Sequence, residues 1–262
     1  MKVLFLGYGR MGAALGESWA RAGLVDSIVA VDPGLPASHL ARVHGSIDTI
    51  ADEAFDLLVL AVKPAMAAAV LGQLSPRNLA NALLLSVAAG VTCATLSQAV
   101  AGQCPVIRTM PNTAVMVNAG CTGLYSHDPL PDATRARLGQ LFQAVGEAFW
   151  VDEEIQLDAV TAISGSGPAY YHLFTEALAD AALGLGLSPE LGKRLAAQTA
   201  LGAATLQAAP DADFAALRLA VTSPNGTTAA AIAVFEAQTR LRSLVDEAAT
   251  AAYRRSRELS VS

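Results

Sequence analysis

At 262 residues the chain is long enough for one large domain or two ordinary ones, and it can bury a core without disulfide or metal staples. Hydrophobic residues make up 53% and charged residues only 15%, against roughly 25% in an average soluble protein, a balance that favours closely packed helices and further burial between subunits. The net charge of −6 leaves no basic footprint, so nucleic acid is excluded as an expected partner.

Cys93, Cys104 and Cys121 are odd in number and form no close-spaced motif, which predicts buried thiols in a reducing cytoplasm instead of a disulfide framework. His39, His44, His127 and His172 are scattered, and none pairs at metal-ligand spacing, so no metal site is expected. The apolar run after Lys2 meets Gly7 too soon for a signal-peptide core. Residues 78–107 carry no charge, but Gly90, Thr92, Ser97, Gln98, Gly102 and Pro105 interrupt them; strand, helix and strand are expected there, not a membrane span.

In chain order, residues 3–6 read as a short buried strand and 11–22 as a helix, with Gly23 where a C-terminal cap belongs. Residues 27–31 form a second strand. Apolar runs at 56–62 and 82–87 have strand length and flank a helical segment beginning near Pro64. Thr92 can cap a helix ending near Val100, and 105–110 is another strand. Strands alternating with helices predict a doubly wound parallel sheet of the Rossmann type. Residues 119–125 and 148–151 read as later edge strands around a helix near 132–144. After Asp152-Glu153-Glu154 strand signals stop, and Ala/Leu-rich helices follow near 168–185, 189–209, 214–220 and 228–258. Ser188-Pro189-Glu190 supplies a cap, a first-turn proline and an acid at a helix start. The expected division is therefore a dinucleotide-binding domain over residues 1–151 and an all-helical domain for substrate binding and dimerisation over 152–262.

Gly7-Tyr8-Gly9-Arg10-Met11-Gly12 matches G-x-G-x-x-G, follows a predicted strand and opens a predicted helix. Gly7 allows the tight turn, Gly9 the approach of a pyrophosphate and Gly12 close helix–strand packing. Asp32 ends the second strand, where an acid accepts hydrogen bonds from a ribose and repels an added 2′-phosphate; it also fits a solvated turn in Asp32-Pro33-Gly34. Ala61-Val62-Lys63-Pro64 and Ser86-Val87-Ala88-Ala89-Gly90 lie at carboxyl ends of parallel strands, the edge at which such sheets bind ligands. Arg108-Thr109-Met110-Pro111-Asn112-Thr113 follows the next strand; Asn112 can bond a carboxamide, and Arg108 reads mainly as structural. No nucleophilic triad appears, so the chemistry is expected to be a cofactor's. In the second half, Ser164-Gly165-Ser166-Gly167-Pro168 and Thr222-Ser223-Pro224-Asn225-Gly226-Thr227-Thr228 are small-residue hydroxyl loops preceding long helices. Thr227 and Thr228 can cap a helix or face a ligand.

Together these segments, with Asp158-Ala159-Val160-Thr161 ahead of the serine loop and the closing Arg240-Leu241-Arg242 and Arg254-Arg255-Ser256 stretches, resemble the pyrroline-5-carboxylate reductase family over essentially the whole chain. The resemblance implies reduction of 1-pyrroline-5-carboxylate to L-proline by NADPH or NADH, with Asp32 tilting the choice toward NADH. Gly7, Tyr8, Gly9, Arg10, Met11, Gly12, Asp32, Ala61, Val62, Lys63, Pro64, Ala88, Ala89 and Asn112 are the implied cofactor residues. Thr228, with Ser223, carries the implied catalytic hydroxyls. Ser164, Gly165, Ser166, Gly226, Thr227 and Thr228 bind the substrate, and homo-oligomers built from dimers are expected. A protonated or hydrogen-bonded imine carbon is already electrophilic, so alignment matters more than a strong acid.

Three positions depart from the family pattern. Ala114 stands where proline is usual, Asn225-Gly226 replaces Gly-Gly, and Gln238-Thr239 replaces a Gly-Gly turn before the last helix. Asn is the non-glycine residue best suited to a left-handed turn. Another imine reductase or a 3-hydroxyacid-type dehydrogenase is the alternative enzyme. The latter wants a lysine near the cleft, and Lys193, the sole lysine of the second half, is on a helix away from the hydroxyl loops. A nucleotide-binding regulator without turnover is the remaining class.

Overall fold

The computed structural model describes residues 1–261. The chain begins with β1 (Lys2–Leu6), α1 (Arg10–Arg21), β2 (Ser27–Val31) and β3 (Ala41–His44), then β4 (Leu57–Leu60), α2 (Ala67–Leu71), α3 (Pro76–Leu79) and β5 (Leu83–Ser86). It continues through α4 (Cys93–Ala99), β6 (Val106–Met110), β7 (Gly120–Ser126), α5 (Asp132–Gln143) and β8 (Gly146–Trp150). The eight strands form one sheet in the order β3-β2-β1-β4-β5-β6-β7-β8. The order reverses between β1 and β4, which creates a crevice at their carboxyl ends.

The strands are apolar on both faces because helices cover both faces. Leu4, Leu6, Leu58 and Leu60 pack with α2 and α4 on one side. Val3, Phe5, Leu57 and Val59 pack on the other, with Trp19 of α1 and Phe142 of α5. The Trp19 ring meets Phe5 at 5.6 Å and Phe142 edge-on at 5.8 Å. Gly23, at φ +67°, closes α1: its N–H donates to Ala20 O while the Leu24 N–H reaches Trp19 O.

Several expectations need correction. The sheet is not wholly parallel, since β7 runs antiparallel to β6. The segment 113–119 turns the chain back within a few residues, too short a path for a parallel crossover. The strand β3 was not foreseen, because its Ala-Arg-Val-His sequence lies on an exposed edge and lacks a continuous apolar run. The helical segment expected from Pro64 is present, as a 3₁₀ turn, Pro64–Met66, running directly into the short α2.

Beyond the sheet come α6 (Gln156–Val160), a π-helical turn Thr161–Gly165, α7 (Gly167–Gly184), α8 (Pro189–Gln207), α9 (Phe214–Ala220), α10 (Thr227–Glu236) and α11 (Arg240–Val261). The single helix expected over 228–258 is broken between α10 and α11, where Gln238 and Thr239 take φ values of +55° and +57°. By compactness the chain forms two units, residues 1–166 with 251–262 and residues 167–250. Within the second, Gly192 of α8 lies against α7 so closely that a Cβ there would sit 2.9 Å from Ala182 Cβ. Among its described residues only Gly167, Gly192 and Ala196 are buried, while Tyr171, Leu173, Leu201, Leu206 and Leu219 are each at least 60% exposed. Among the described residues no helix is long and apolar enough to cross a membrane.

Candidate active site

Three glycines shape the turn from β1 into α1. Gly7 has φ +88°, and a Cβ on it would fall 2.7 Å from the Ala61 carbonyl oxygen, so no side chain fits. A Cβ on Gly12 would lie 2.6 Å from Gly7 O and 3.4 Å from Ala61 Cβ. These approaches join the end of β1 to Ala61-Val62 after β4, at the point where the strand order reverses. Gly9 differs: nothing lies within 4 Å of a Cβ built there. It is the N-cap of α1, no side chain caps the helix, and its first turn holds no acid. Free N–H groups at a helix start, open space and a first turn without an acid fit a dinucleotide pyrophosphate. Arg10, exposed at the first position of α1, reaches Met116 Sδ at 3.7 Å; Met11 is half-buried. Tyr8 is buried, and burial pushes its phenol above the usual range.

Asp32 follows β2 and faces this turn. Its Oδ2 accepts from the Tyr8 N–H at 2.8 Å, and its Oδ1 accepts from the Gly34 N–H at 2.8 Å. A negative charge is thereby held beside the glycine turn. Lys63 and Pro64 are exposed at the start of the 3₁₀ turn after β4, while Ala61 and Val62 are half-buried. After β5, Ser86 Oγ accepts from the Ala88 N–H at 3.2 Å and shapes the path through Ala88 and Ala89 to Gly90, which has φ +76°.

Asn112 is a hub. Its Oδ1 accepts from the N–H groups of Ala114, 3.2 Å, and Cys121, 3.3 Å, and its Nδ2 donates to Ser164 O at 3.0 Å. One Nδ2 hydrogen is left for a ligand. The N–H used at Ala114 is one that proline lacks. Arg108 is buried and pairs with Glu154 Oε1 at 2.5 Å; the same oxygen accepts from the Cys93 N–H at 2.7 Å. Burial, reinforced by the Glu154 charge, drives the Cys93 thiol up to about 12, and burial takes Cys104 up to about 11, so neither is a thiolate at neutral pH.

The serine loop coincides with the π-helical turn, a feature frequent at functional sites. Ser164 Oγ donates to Val160 O at 3.0 Å, and the Ser166 N–H donates to Thr161 O at 2.7 Å. A Cβ on Gly165 would sit 2.8 Å from Met110 Cε, so glycine lets the turn close on the end of β6.

The second hydroxyl loop lies in the other unit. Asn225 takes the left-handed conformation at φ +59°. Gly226, not a threonine, is the N-cap of α10, and no side chain caps that helix. A Cβ on Gly226 would fall 2.4 Å from Ser223 Oγ. Thr227 and Thr228 occupy the first two helical positions, so the expected capping role is not filled. Among the described residues no hydrogen bond engages the hydroxyls of Ser223, Thr227 or Thr228, unlike Thr222, whose hydroxyl donates to Arg218 O at 2.6 Å. Lys193 lies on α8 beside Thr175, Glu176 and Asp180 of α7, in a groove whose lining includes none of residues 222–228.

A network that the sequence did not announce runs from Asp158 of α6 to Ser256 of α11; the available signal was their membership of the matched stretches. Among the described residues no three His, Cys, Asp or Glu side chains cluster as metal ligands.

Comparison with known proteins matches residues 154–259 to the model for pyrroline-5-carboxylate reductase dimerisation and residues 2–90 to that for coenzyme F420-dependent NADP oxidoreductase. A pyrroline-5-carboxylate reductase of Pseudomonas aeruginosa is 43% identical, covering 99% of this chain and 97% of its own. The crystal structure of the Plasmodium falciparum pyrroline carboxylate reductase with NADP bound superposes with a TM-score of 0.86 at 30% identity, covering 99% and 98% of the two chains. A Coxiella burnetii pyrroline-5-carboxylate reductase gives 0.86 at 32% identity, covering 98% of each.

Proposed function

The chain belongs to the pyrroline-5-carboxylate reductase family, and from that premise we propose that it reduces the cyclic imine of 1-pyrroline-5-carboxylate to L-proline, the last step of proline biosynthesis, at the expense of a reduced nicotinamide dinucleotide. The observation that carries this reading is the start of α10, where the uncommitted hydroxyls of Ser223, Thr227 and Thr228 stand at a helix start that no side chain caps, an arrangement suited to a small anion with a polar ring atom.

When bound, the nicotinamide supplies the hydride. The chain's own residues bind and orient. Gly9, Arg10, Met11 and Gly12 hold the pyrophosphate through backbone N–H groups, Gly7 and Tyr8 shape the turn with their own N–H groups committed to Val31 O and Asp32, and Asp32 accepts from the ribose. Ala61, Val62, Lys63, Pro64, Ala88 and Ala89 line the nicotinamide side with small groups, and the remaining Nδ2 hydrogen of Asn112 serves the cofactor. Ser223 and Thr227 hold the substrate carboxylate, and Gly226, whose N–H donates to Ser223 O at 3.0 Å, keeps the turn tight beside them. The Thr228 hydroxyl donates to the ring nitrogen and draws electron density from the imine carbon. Ser164, Gly165 and Ser166 complete the substrate side. No strong acid is required, because the work is alignment and polarisation.

Three finer assignments belong to this reading. Although the P. falciparum relative carries NADP, the Asp32 carboxylate repels a 2′-phosphate, so NADH serves this chain at least as well as NADPH. The protein acts in the cytoplasm as a homo-oligomer built from dimers, with neither nucleic acid nor membrane as partner. Its functional division falls at residue 152, the helical part carrying substrate binding and dimerisation. The test is direct: purified protein mixed with 1-pyrroline-5-carboxylate and either cofactor is followed by the loss of nicotinamide absorbance. Proline formation with both cofactors, NADH no worse, is expected; no turnover with either would overturn the reaction.

A further inference from the structure

The last turns of α11 belong to the first unit, and they meet it at two points. Ser256 Oγ donates to Asp158 Oδ1 at 2.6 Å, with both residues only 6% exposed. Ser260 Oγ lies 3.4 Å from the same oxygen, and Arg257 Nε lies 3.9 Å from Oδ2. The second point is Gly90. A Cβ there would sit 3.1 Å from Leu259 Cβ and 3.2 Å from its carbonyl carbon and oxygen, so the helix backbone itself rests on this glycine.

Both points adjoin proposed site segments. Asp158 precedes the π-helical turn that presents Ser164–Ser166, and the two are tied locally by Thr161 Oγ1 donating to Leu157 O at 2.7 Å. Gly90 directly follows Ala88 and Ala89. A buried O–H···carboxylate bond of this length is charge-assisted and roughly twice as strong as a neutral one. It serves no fold element of the sheet, and the helix that carries Ser256 also runs back into the other unit.

We propose that the C-terminal turns of α11 are a positioning brace for the active site, in which the Ser256–Asp158 bond holds the serine turn and the Leu259 backbone holds the Ala88–Gly90 turn. The brace rests on the assignment of those two turns to substrate and cofactor. Ser256 and Asp158 touch neither; they act through the turns, by keeping α6 and the β5 exit at fixed height against one helix end. A positioning fault of this kind raises KM and leaves the folded population intact.

The experiment compares Ser256→Ala, Ser256→Thr and a chain ended after Glu258, with Ser164→Ala alongside. In protein of unchanged melting temperature and oligomer size, Ser256→Ala is expected to raise KM for pyrroline-5-carboxylate about 10-fold, inside the roughly 100-fold that a remote misplacement can cost. Ser256→Thr, which keeps the hydroxyl, restores it. The shortened chain keeps the Ser256 bond but loses the rest on Gly90, so its effect falls on the NADH dissociation constant; it also serves if Ser256→Ala does not fold. Unchanged KM and NADH affinity in folded variants overturn the brace. So does a loss of activity in Ser256→Ala that tracks only the fraction folded, with KM unmoved. Ser164→Ala decides the other question: if it leaves KM untouched, the serine-turn assignment fails, while the Ser256 comparison still decides the brace.

Discussion

In the proposed reaction Asp32 and Thr228 are the two side chains that carry the most specific expectations, each through one group. The Thr228 hydroxyl has no partner among the described residues at the second position of α10, whose N-cap position is held by Gly226 with no side-chain cap. Thr228→Ala therefore costs no cap and leaves the helix intact. Its turnover is expected to fall roughly 10–1000-fold, the range for losing one positioned donor. Steady-state rates on a variant of unaltered circular dichroism measure this, and unchanged turnover removes Thr228 from the chemistry. Asp32 accepts from both Tyr8 and Gly34, so its charge is locked beside the glycine turn. Replacement by serine removes a repulsion of about 1–3 kcal/mol against a 2′-phosphate, worth roughly a 5–150-fold shift in cofactor preference toward NADPH. The ratio of kcat/KM values is the readout, because the lost bonds to the turn affect both cofactors alike. A wild type that strongly prefers NADPH would defeat the charge argument.

The link between α10 and α11 is the strained element. Gln238 and Thr239 are both left-handed, and Thr239 is β-branched and exposed. A non-glycine residue there costs about 1–2 kcal/mol. An ion-pair cluster spans the link: Glu236 Oε1 accepts from Arg218 at 3.0 Å and from Arg242 at 2.7 Å. Those bonds, Arg242 first, hold the Glu236 carboxyl below its usual range, so its contribution is present at neutral pH and fades as pH falls through the folded value. Thr239→Gly removes the steric cost but adds unfolded-chain entropy of about 0.5–1 kcal/mol. The net expectation is a melting temperature higher by about 1–4 °C at matched protein concentration. A lower melting temperature would show that the turn is not strained.

At the scale of the molecule, the second unit has almost no interior of its own. Phe174, Leu178, Val234, Phe235, Leu241 and Leu244 line an apolar groove of about 490 Å³ on it. Helices apolar over so much surface are expected to take cover from another chain. The interface is expected to be of the obligate kind, above about 2,000 Å² in total. We further expect the site to combine one subunit's nucleotide-binding part with its partner's 222–228 loop. Gly9→Asp is the right disabling change, since its Cβ enters open space and spares the fold while setting a carboxylate against the proposed pyrophosphate position. Co-expressed with a Thr228→Ala chain, it should regain part of the lost activity in mixed dimers. Sedimentation as a monomer sinks the assembly; inactive, verified heterodimers sink the shared site.

Much of this was written in local pattern. Alternating apolar strands, G-x-G-x-x-G after the first of them, capping residues such as Thr92 and Ser188, and Asn225 for a left-handed turn are decided by near neighbours, and the sequence alone determined them. The family and its reaction were legible in the same way, because the two hydroxyl loops are short and contiguous. Other features belong to pairs of residues far apart in the chain. The antiparallel β7, the edge strand β3, the break at Gln238-Thr239 and the commitment of Asn112 to Ser164 depend on what lies opposite in space. Asp158 and Ser256, separated by 98 positions, show no sequence signal of their bond. Only tertiary structure decided these, because a buried polar group is held by whichever partner packing brings to it.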